Sequence, residues 1–423
     1  MTKITGKSRE IDPDEGGVEE KYDKYDRQKR LEMWNQDIIV SARLLVVGAG
    51  GTGCEVLKNL SLLGTGHLVI VDPDTVEYSN LSRQLFYTKK DVGKPKAEVA
   101  ASRLQLLNPD GKVEFHTSKI EDLPDSLLLE SDVVLGCLDN WHARMYLNTL
   151  CYENGIPLVD SAVDGFIGRV RTIVGQDSAC LACDNPVPPE TTAIIDQPCT
   201  LVGKPRVREH CAWKGLYKFV EQTSRLPEDN NLEETKKLAK MANEFAKEYG
   251  YALFTVQEIN NLLFFHVPSV ITVNAVISGI QSQEAVKVLF WIKREQFDAE
   301  RKKQLESLQA SGRFWNPNLI IYTGLNSVIT SMVLEKNPDC MVCSKKIDKI
   351  TKIVMDPFEK LSSILIRIGL TDGNLESFMI TRGAKLLDFD DSLENQLHSK
   401  DMIVVNDMDN QIEMKIRVIF AEK

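Results

Sequence analysis

Residues 44–74 read L-L-V-V-G-A-G-G-T-G-C-E-V-L-K-N-L-S-L-L-G-T-G-H-L-V-I-V-D-P-D, and this stretch decides the fold that we predict. An apolar run gives way to a glycine-rich turn and then to apolar residues at helical spacing. The pattern predicts a strand, a tight turn and a helix whose first N–H groups lack partners within the helix, which suits an anion. The next apolar run ends at Asp72, where a parallel strand would place a carboxylate beside a ribose. The sequence therefore predicts a nucleotide site, and the glycines of its turn are Gly48, Gly50, Gly51 and Gly53.

Polar residues beyond the second predicted strand separate two interpretations of this pattern. The glycine spacing and the following acid suit a nicotinamide dehydrogenase equally well. Arg83 and Lys96, however, add two cations, and Asp139 ends the apolar run 133–138 with a carboxylate. Two cations and a carboxylate at strand ends predict a site for a triphosphate and Mg²⁺, in which Asp139 holds the metal and the cations balance phosphate charge. The predicted set also includes two amides, Asn80 for the phosphates and Gln84.

At these residues the chain resembles the ubiquitin-activating enzyme family. The matching pieces are G-A-G-G-T-G, D-P-D-T-V, S-N-L-S-R-Q, G-K-P-K-A and L-D-N-W-H-A-R. The resemblance runs from about Tyr25 to the C-terminus and is closest to the catalytic subunits that activate SUMO and NEDD8. It implies that the C-terminal glycine carboxylate of a ubiquitin-like modifier protein attacks ATP to give an acyl-adenylate. It also implies three more nucleotide-binding residues inside these motifs, Asp74, Asn140 and Arg144.

Composition and charge exclude several classes of protein. The chain has 423 residues, enough for about two or three domains. Its 51 Lys and Arg against 61 Asp and Glu give a net charge of −10, which argues against a nucleic-acid partner. No apolar run approaches the ~18 residues of a membrane span, and the N-terminus lacks a signal-peptide core. We therefore expect a cytoplasmic protein without a membrane segment, whose nine cysteines serve metal binding or catalysis rather than disulfides.

Alternating strand and helix patterns predict a Rossmann-like α/β fold with a doubly wound parallel sheet, continued by an antiparallel strand over 165–174. After Cys343, periodicity supports only an α+β module. The resemblance implies that this module is a ubiquitin-like β-grasp domain that recruits the conjugating enzyme. A charged helix predicted over 295–309 has no assigned function. The expected division is a disordered tail (1–24), an ATP-binding adenylation domain with a zinc site (25–178 and 266–344), a catalytic-cysteine insertion (179–265) and a ubiquitin-fold domain (345–423).

Two cysteine pairs predict a structural zinc site. Cys180 and Cys183 form one C-x-x-C pair, and Cys340 and Cys343 form the other. Each has the spacing that tetrahedral Zn²⁺ needs, and four thiolates leave no open coordination position. The alternative is two unrelated pairs in a reducing compartment.

Cys199 is the candidate for covalent chemistry. It lies in the polar segment D-Q-P-C-T-L-V-G-K-P-R-V-R-E-H-C, in which Lys204, Arg206 and Arg208 would favour the nucleophilic thiolate. A buried, inert thiol is the alternative for an isolated cysteine. The resemblance places Cys199 at the thioester-forming position of the SUMO and NEDD8 activating subunits. Four other cysteines in apolar or helical contexts are expected in the core, namely Cys54, Cys137, Cys151 and Cys211. His210 is either a proton-transfer group or a satisfied or exposed histidine without a role in the chemistry.

The resemblance also implies an oligomeric state. The segment Y-D-R-Q matches one whose arginine reaches across a dimer into the partner's ATP site, and Arg27 occupies that position here. Because the chain carries both this arginine and the catalytic residues, we expect a homodimer.

Two other functions stay open from the sequence. A sulfur-carrier adenylyltransferase of the molybdopterin or thiamine type would share the adenylation and zinc sites but needs no recruiting module. A non-catalytic scaffold would bind nucleotide and modifier without turnover, although intact Arg83, Lys96 and Asp139 argue against it.

Overall fold

The computed structural model describes residues 23–175, 178–183, 205, 208–223, 227, 231–263, 269–312, 314, 317–338, 340, 342–343, 351–370, 377–382, 385–407 and 412–421. Within these ranges the strands form one eight-stranded and one five-stranded sheet. The expected disordered tail lies almost entirely outside the described residues, and the domain boundaries stay predictions.

The larger sheet has the strand order β3-β2-β1-β4-β5-β6-β7-β8. Its strands are β1 (Arg43–Val47), β2 (His67–Val71), β3 (Lys112–His116), β4 (Val133–Gly136), β5 (Leu158–Asp164), β6 (Ile167–Ile173), β7 (Leu319–Thr323) and β8 (Val328–Met332). The first five strands in this order, β3, β2, β1, β4 and β5, are parallel to one another. Strands β6, β7 and β8 then extend the sheet, each antiparallel to the strand before it. The parallel part and the antiparallel continuation at β6 confirm the predicted topology, and the β7–β8 hairpin makes the whole sheet mixed.

Helices cover both faces of this sheet. The helices of the whole chain within the described residues are α1 (Asp26–Lys29), α2 (Gln36–Ser41), α3 (Gly51–Leu63), α4 (Lys96–Leu107), α5 (Ser126–Leu129), α6 (Trp141–Asn154), α7 (Glu209–Thr223), α8 (Leu232–Tyr249), α9 (Val256–Leu263), α10 (Ile271–Ile292), α11 (Ala299–Ala310), α12 (Ser363–Arg367) and α13 (Leu393–Gln396). Alternate residues of β1 face opposite sides, as the period of a strand requires. Leu44 and Val46 pack with α2, α3, α4 and α10, whereas Leu45 and Val47 pack with α5 and α6.

Helices α7, α8 and α9 form a separate helical unit with its own core, which includes Phe219, Leu238 and Met241. Helix α8 was predicted over 231–249, and Asn231 caps it by accepting a hydrogen bond from the Glu234 N–H at 3.3 Å. Helix α11 begins at Ala299, later than predicted, because the Asp298 side chain accepts the Arg301 N–H at 2.9 Å and so caps the helix there.

The C-terminal unit contains the second sheet, in the order β11-β10-β12-β13-β9. Its strands are β9 (Thr351–Met355), β10 (Phe378–Arg382), β11 (Lys385–Leu386), β12 (Met402–Asp407) and β13 (Ile412–Phe420). The predicted helix over 357–369 is reduced to α12. Asp356 accepts the Phe358 N–H at 3.0 Å and Leu361 donates to the Asp391 carbonyl at 3.1 Å, so a turn and a tertiary contact hold the segment before it.

Charged groups join the two sheets across a buried contact. Arg382 of β10 lies 2.8 Å from Asp401 and 3.3 Å from Asp125, which precedes α5. Asp125 also accepts the Met402 N–H at 2.9 Å, and its own N–H donates to Asp401 at 2.9 Å. The C-terminal unit is therefore held against the α5 side of the larger sheet by paired charges and backbone bonds.

Among the described helices we find none with both the length and the apolar character needed to cross a bilayer.

Candidate active site

The glycine turn between β1 and α3 is shaped by close backbone contacts. Gly48 has φ +101°, and a Cβ on it would lie 2.4 Å from the Cys137 carbonyl oxygen. A Cβ on Gly53 would lie 1.9 Å from the Gly48 carbonyl oxygen. Gly50, at the N-cap of α3, has no side chain to cap the helix. No side chain caps the first N–H groups of this helix, which suits the anion site that the sequence predicts.

Asp72 braces this turn against the end of β2. Its carboxylate accepts the Ala49 N–H at 2.6 Å and the Asp74 N–H at 2.9 Å. Burial raises the pKa of Asp72, and the positive charge of Lys96 opposes that rise. Each carboxylate oxygen has a second lone pair, so the ribose contact predicted for Asp72 is compatible with this geometry and stays a prediction.

Lys96 begins α4 and brings a buried positive charge to the same edge. Its Nζ lies 2.8 Å from an Asp74 oxygen, and its side chain is only 10% exposed whereas that of Asp74 is 64% exposed. Burial lowers the pKa of Lys96, but the negative charges of Asp72, Asp74 and Asp139 outweigh burial and raise it. Lys96 is therefore charged at neutral pH and interacts with carboxylates from both β2 and β4 ends.

Asp139 lies just beyond β4 and is exposed. Together with Asp74 it offers carboxylate oxygens that face Lys96 at the carboxyl edge of the parallel strands. Mg²⁺ usually takes one or two carboxylates together with phosphate oxygens and water. The donor set at this edge therefore fits Mg²⁺, with Asp139 as the predicted ligand.

Arg83 and Gln84 follow a 3₁₀ helix (Tyr78–Ser82) that approaches the glycine turn. If Gly51 carried a Cβ, that atom would lie 3.6 Å from the Arg83 carbonyl oxygen. A Cβ on Gly50 would lie 3.9 Å from the side-chain amide nitrogen of Gln84. The Arg83 guanidinium donates to the Ser79 carbonyl at 2.9 Å. The segment is thus beside the turn, while the Arg83 side chain bonds back to its own helix.

Three predicted nucleotide residues have structural partners that the motif did not reveal. Asn80 is buried and accepts the Glu77 N–H at 2.9 Å, which closes a capping box. Asn140 caps α6 by accepting the Ala143 N–H at 2.8 Å. Arg144 is buried in an ion pair with Asp160. This ion pair gives Arg144 a structural role, and the nucleotide contact that we expected for it stays a prediction.

Other residues at the turn were not identified from the sequence. Gln281 on α10 is fully buried and donates to the Gly136 and Val159 carbonyls, both at 2.9 Å. Tyr87 is buried and donates to the Ala49 carbonyl at 2.8 Å. A glutamine within the apolar pattern of α10 could have indicated a buried hydrogen-bonding role for Gln281. Tyr87 gave no such signal, because a tyrosine in an apolar pattern is usually counted as a core residue.

The two cysteine pairs, separated by 160 residues, meet in space. The Sγ atoms of all four lie within 4.8 Å of one another. Cys180 Sγ is 3.5 Å from Cys340 Sγ, and Cys183 Sγ is 3.3 Å from Cys343 Sγ. Burial raises the pKa of Cys180 to about 12, so a divalent cation is the partner that would stabilise the thiolates. Four clustered sulfurs fit Zn²⁺ in a tetrahedral structural site, as the sequence predicted.

Comparisons with known proteins agree with this geometry. Residues 25–342 match the ThiF family. The chain belongs to the ThiF family. Within it, the NEDD8-activating enzyme E1 catalytic subunit of Dictyostelium discoideum is 30% identical over 348 residues, which span 77% of this chain and 73% of that protein. The corresponding subunit of Saccharomyces cerevisiae is 30% identical over 319 residues, 72% of this chain and 98% of that protein. The SAMP-activating enzyme E1 of Haloferax volcanii is 41% identical over 169 residues, 40% of this chain and 62% of that protein.

These relatives confirm that this ThiF protein is a member of the ubiquitin-activating enzyme family, as its motifs suggested. They also confirm the α/β adenylation fold of the larger sheet. The family match ends at residue 342, before the C-terminal unit. The structure shows a five-stranded sheet in that unit, and its expected β-grasp fold stays a prediction.

Arg27 lies far from the glycine turn of its own chain. Its helix, α1, packs at the opposite end of α3, where Gln28 donates to the Leu63 carbonyl at 3.0 Å and the Tyr25 ring contacts Gly64. At 1.5 Å per residue, the 13 residues of α3 separate the two ends by about 18 Å. The exposed Arg27 therefore lies away from the predicted nucleotide site of its own chain, where Lys96 lies.

Cys199, Lys204 and Arg206 lie outside the described residues, so their predicted roles are untested. Arg208 is described and is bonded to Glu258 at 3.0 Å, with its guanidinium 4.1 Å from the centre of the Phe254 ring. His210 and Cys211 are buried in the helical unit. The prediction of a core position is confirmed for Cys211, as it is for Cys54 and Cys151, while Cys137 is partly buried.

Proposed function

We propose that the protein activates a ubiquitin-like modifier by ATP-dependent adenylation of its C-terminal glycine, forms a thioester on Cys199 and passes the modifier to a conjugating enzyme. The observation that carries this proposal is the charge arrangement at the open N-terminus of α3. There Lys96 faces Asp74 and Asp139 in a chain of the ubiquitin-activating enzyme family.

In the adenylation step, a carboxylate oxygen of the modifier bonds to the α-phosphorus of ATP, and the bond from that phosphorus to the bridging oxygen breaks. Pyrophosphate carries away the released electron pair. The N–H groups of α3 and the Lys96 ammonium stabilise the phosphate charge that moves toward the leaving group. Bound Mg²⁺, held by Asp139, would neutralise further phosphate charge.

In the second step, the Cys199 thiolate attacks the acyl carbon of the adenylate. The carbon–sulfur bond forms, the bond to the phosphate oxygen breaks, and AMP leaves. The four-cysteine site takes no part, because four thiolate ligands leave Zn²⁺ no position for a substrate.

We further propose that the five-stranded sheet is a β-grasp domain that binds the conjugating enzyme and that the protein is a homodimer. The position of Arg27 supports the second point, because an arginine displaced by the length of α3 is suited to a site in another chain. Mixing Arg27→Ala and Lys96→Met chains tests it. Recovery of adenylation in the mixture supports action between chains, and failure of mixed chains to exceed either variant contradicts it.

The direct test incubates the protein with ATP, Mg²⁺ and candidate β-grasp proteins from the same genome. We expect modifier-dependent exchange between pyrophosphate and ATP, and a thiol-sensitive adduct on a non-reducing gel. Cys199→Ala should keep the exchange and lose the adduct, whereas Cys211→Ser should keep both. Adenylate without any thioester would favour the sulfur-carrier alternative, and absence of exchange with every modifier would refute the proposed activity.

A further inference from the structure

The buried hydroxyl of Tyr87 connects parts of the nucleotide site that are distant in sequence. It donates to the Ala49 carbonyl at 2.8 Å, inside the glycine turn, and lies 3.3 Å from the carbonyl of Lys96. A hydroxyl carries one proton, so the shorter contact is the main bond and the longer one is a weaker shared contact. Tyr87 itself follows Arg83 and Gln84 in the same loop, and its N–H donates to the Gln84 carbonyl at 3.3 Å.

Both backbone polar groups of Ala49, and so the two peptide units that flank its Cα, are consequently held by side chains. Asp72 accepts its N–H at 2.6 Å, while Tyr87 and the Cys54 thiol, at 3.2 Å, donate to its carbonyl. A thiol is a weak donor, so the phenol is the stronger of the two. Burial raises the pKa of Tyr87, which keeps its proton in place as a donor.

This arrangement has a consequence for phosphate binding. The N–H groups at the start of α3 bind an anion well only if the preceding turn has a fixed orientation, and Lys96 must approach from another element. We propose that Tyr87 is a positioning residue for ATP, whose hydroxyl fixes the Ala49 carbonyl, and with it the Ala49–Gly50 peptide, relative to the start of α4 and so aligns the turn with Lys96. This inference rests on the proposed adenylation activity.

Tyr87→Phe tests the role because it removes the oxygen and keeps the ring that packs in the core. The net value of a buried neutral hydrogen bond, about 0.5–1.5 kcal/mol, corresponds to a change of about two- to tenfold. We expect the KM for ATP in pyrophosphate exchange to rise by that factor, while the KM for the modifier stays within about twofold. Tyr322→Phe on β7, a partly buried tyrosine, is the matched control and should change neither constant.

A double-mutant comparison separates positioning from a general loss of stability. In a Lys96→Met background, Tyr87→Phe should add little further loss, because the alignment that it disturbs serves the missing ammonium. If Tyr87→Phe yields too little folded protein, Cys54→Ala removes the weaker donor to the same carbonyl and should raise the KM for ATP by about twofold. An unchanged KM for ATP in Tyr87→Phe, or equal increases for both substrates, would overturn the inference. Wild-type protein without exchange would instead refute the proposed function.

Discussion

Replacement of Arg382 by Leu should loosen the C-terminal unit from the rest of the protein. The Arg382 side chain is 9% exposed, and its two partners, Asp125 and Asp401, are 3% and 0% exposed. Its guanidinium also donates to the Leu123 carbonyl. Removal of the cation leaves two buried carboxylates without the guanidinium that pairs with both, although Arg417 lies near them. The loss of one partner from such a buried pair costs about 3–5 kcal/mol.

The effect should depend on pH in a defined direction. Burial and then the charge of Asp401 raise the pKa of Asp125, whereas Arg382 lowers it. Without Arg382 the folded-state pKa of Asp125 rises further above its unfolded value. Stability from a carboxyl group of raised pKa is present at low pH and is lost as pH rises through the folded-state pKa. The deficit of Arg382→Leu should therefore be largest at neutral pH and smaller at acidic pH.

Amide hydrogen exchange gives the most local assay. The Met402 N–H donates to Asp125 at 2.9 Å, so its protection reports directly on this contact. Protection at Met402 should fall in Arg382→Leu and recover in part as the pH is lowered. Lys360→Ala is the matched control in the same unit, because Lys360 and Asp390 form an exposed pair at 3.2 Å that should be worth at most about 1 kcal/mol. Equal behaviour of the two variants at neutral pH would refute the assignment of Arg382 as the contact that joins the units.

Three further predictions concern the metal, the nucleotide and the glycine turn. Cys180→Ser should lose about one equivalent of zinc per chain by elemental analysis, whereas Cys211→Ser, outside the cluster, should keep it; equal zinc content would contradict the site. Lys96→Met should lower the rate of pyrophosphate exchange by about 10²-fold, since its charge serves the phosphates; an unchanged rate would count against that role. Gly53→Ala should destabilise the protein by about 1–3 kcal/mol, because its new Cβ would lie 1.9 Å from the Gly48 carbonyl oxygen. Gly279 is exposed within α10 and a Cβ there would meet no neighbouring atom within 4 Å, so Gly279→Ala should stabilise the protein by about 0.4–1 kcal/mol. Thermal melts that rank the two variants in the opposite order would be inconsistent with this packing.

The sequence was sufficient where local chemistry determines the structure. The glycine turn could be predicted because Gly48 and Gly53 leave no space for a side chain. The four-cysteine cluster could be predicted because the C-x-x-C spacing at Cys180 and at Cys340 already sets the distance between the sulfurs of one pair. In both cases the residue types carry the signal by themselves, even though Gly48 packs against the Cys137 carbonyl and the two cysteine pairs are 160 residues apart.

Side-chain partners could not be predicted where they come from distant segments. Arg382 and Asp125 are 257 residues apart, and neither belongs to a recognisable motif. Tyr87 depends on a carbonyl group 38 residues earlier, and backbone carbonyls carry no sequence signal. Arg144 illustrates the reverse problem, because its place in a family motif predicted a ligand contact whereas its buried neighbour Asp160 determines where the side chain lies.

Exposure of the partners distinguishes the charged groups that bind a substrate from those that hold the fold together. The Arg144–Asp160 pair is 7% and 1% exposed, and the Arg382–Asp401 pair is 9% and 0% exposed. Both members of each pair are buried. If the arginine of either pair bound a ligand instead, its carboxylate would stay buried without a partner, at a large desolvation cost. Lys96 is also buried, and besides buried Asp72 it has an ion-pair partner, Asp74, that is 64% exposed. A cation that is desolvated by the protein and paired with a solvated carboxylate can transfer that interaction to an incoming phosphate, and this asymmetry supports the carboxyl edge of β2 and β4 as the proposed binding site.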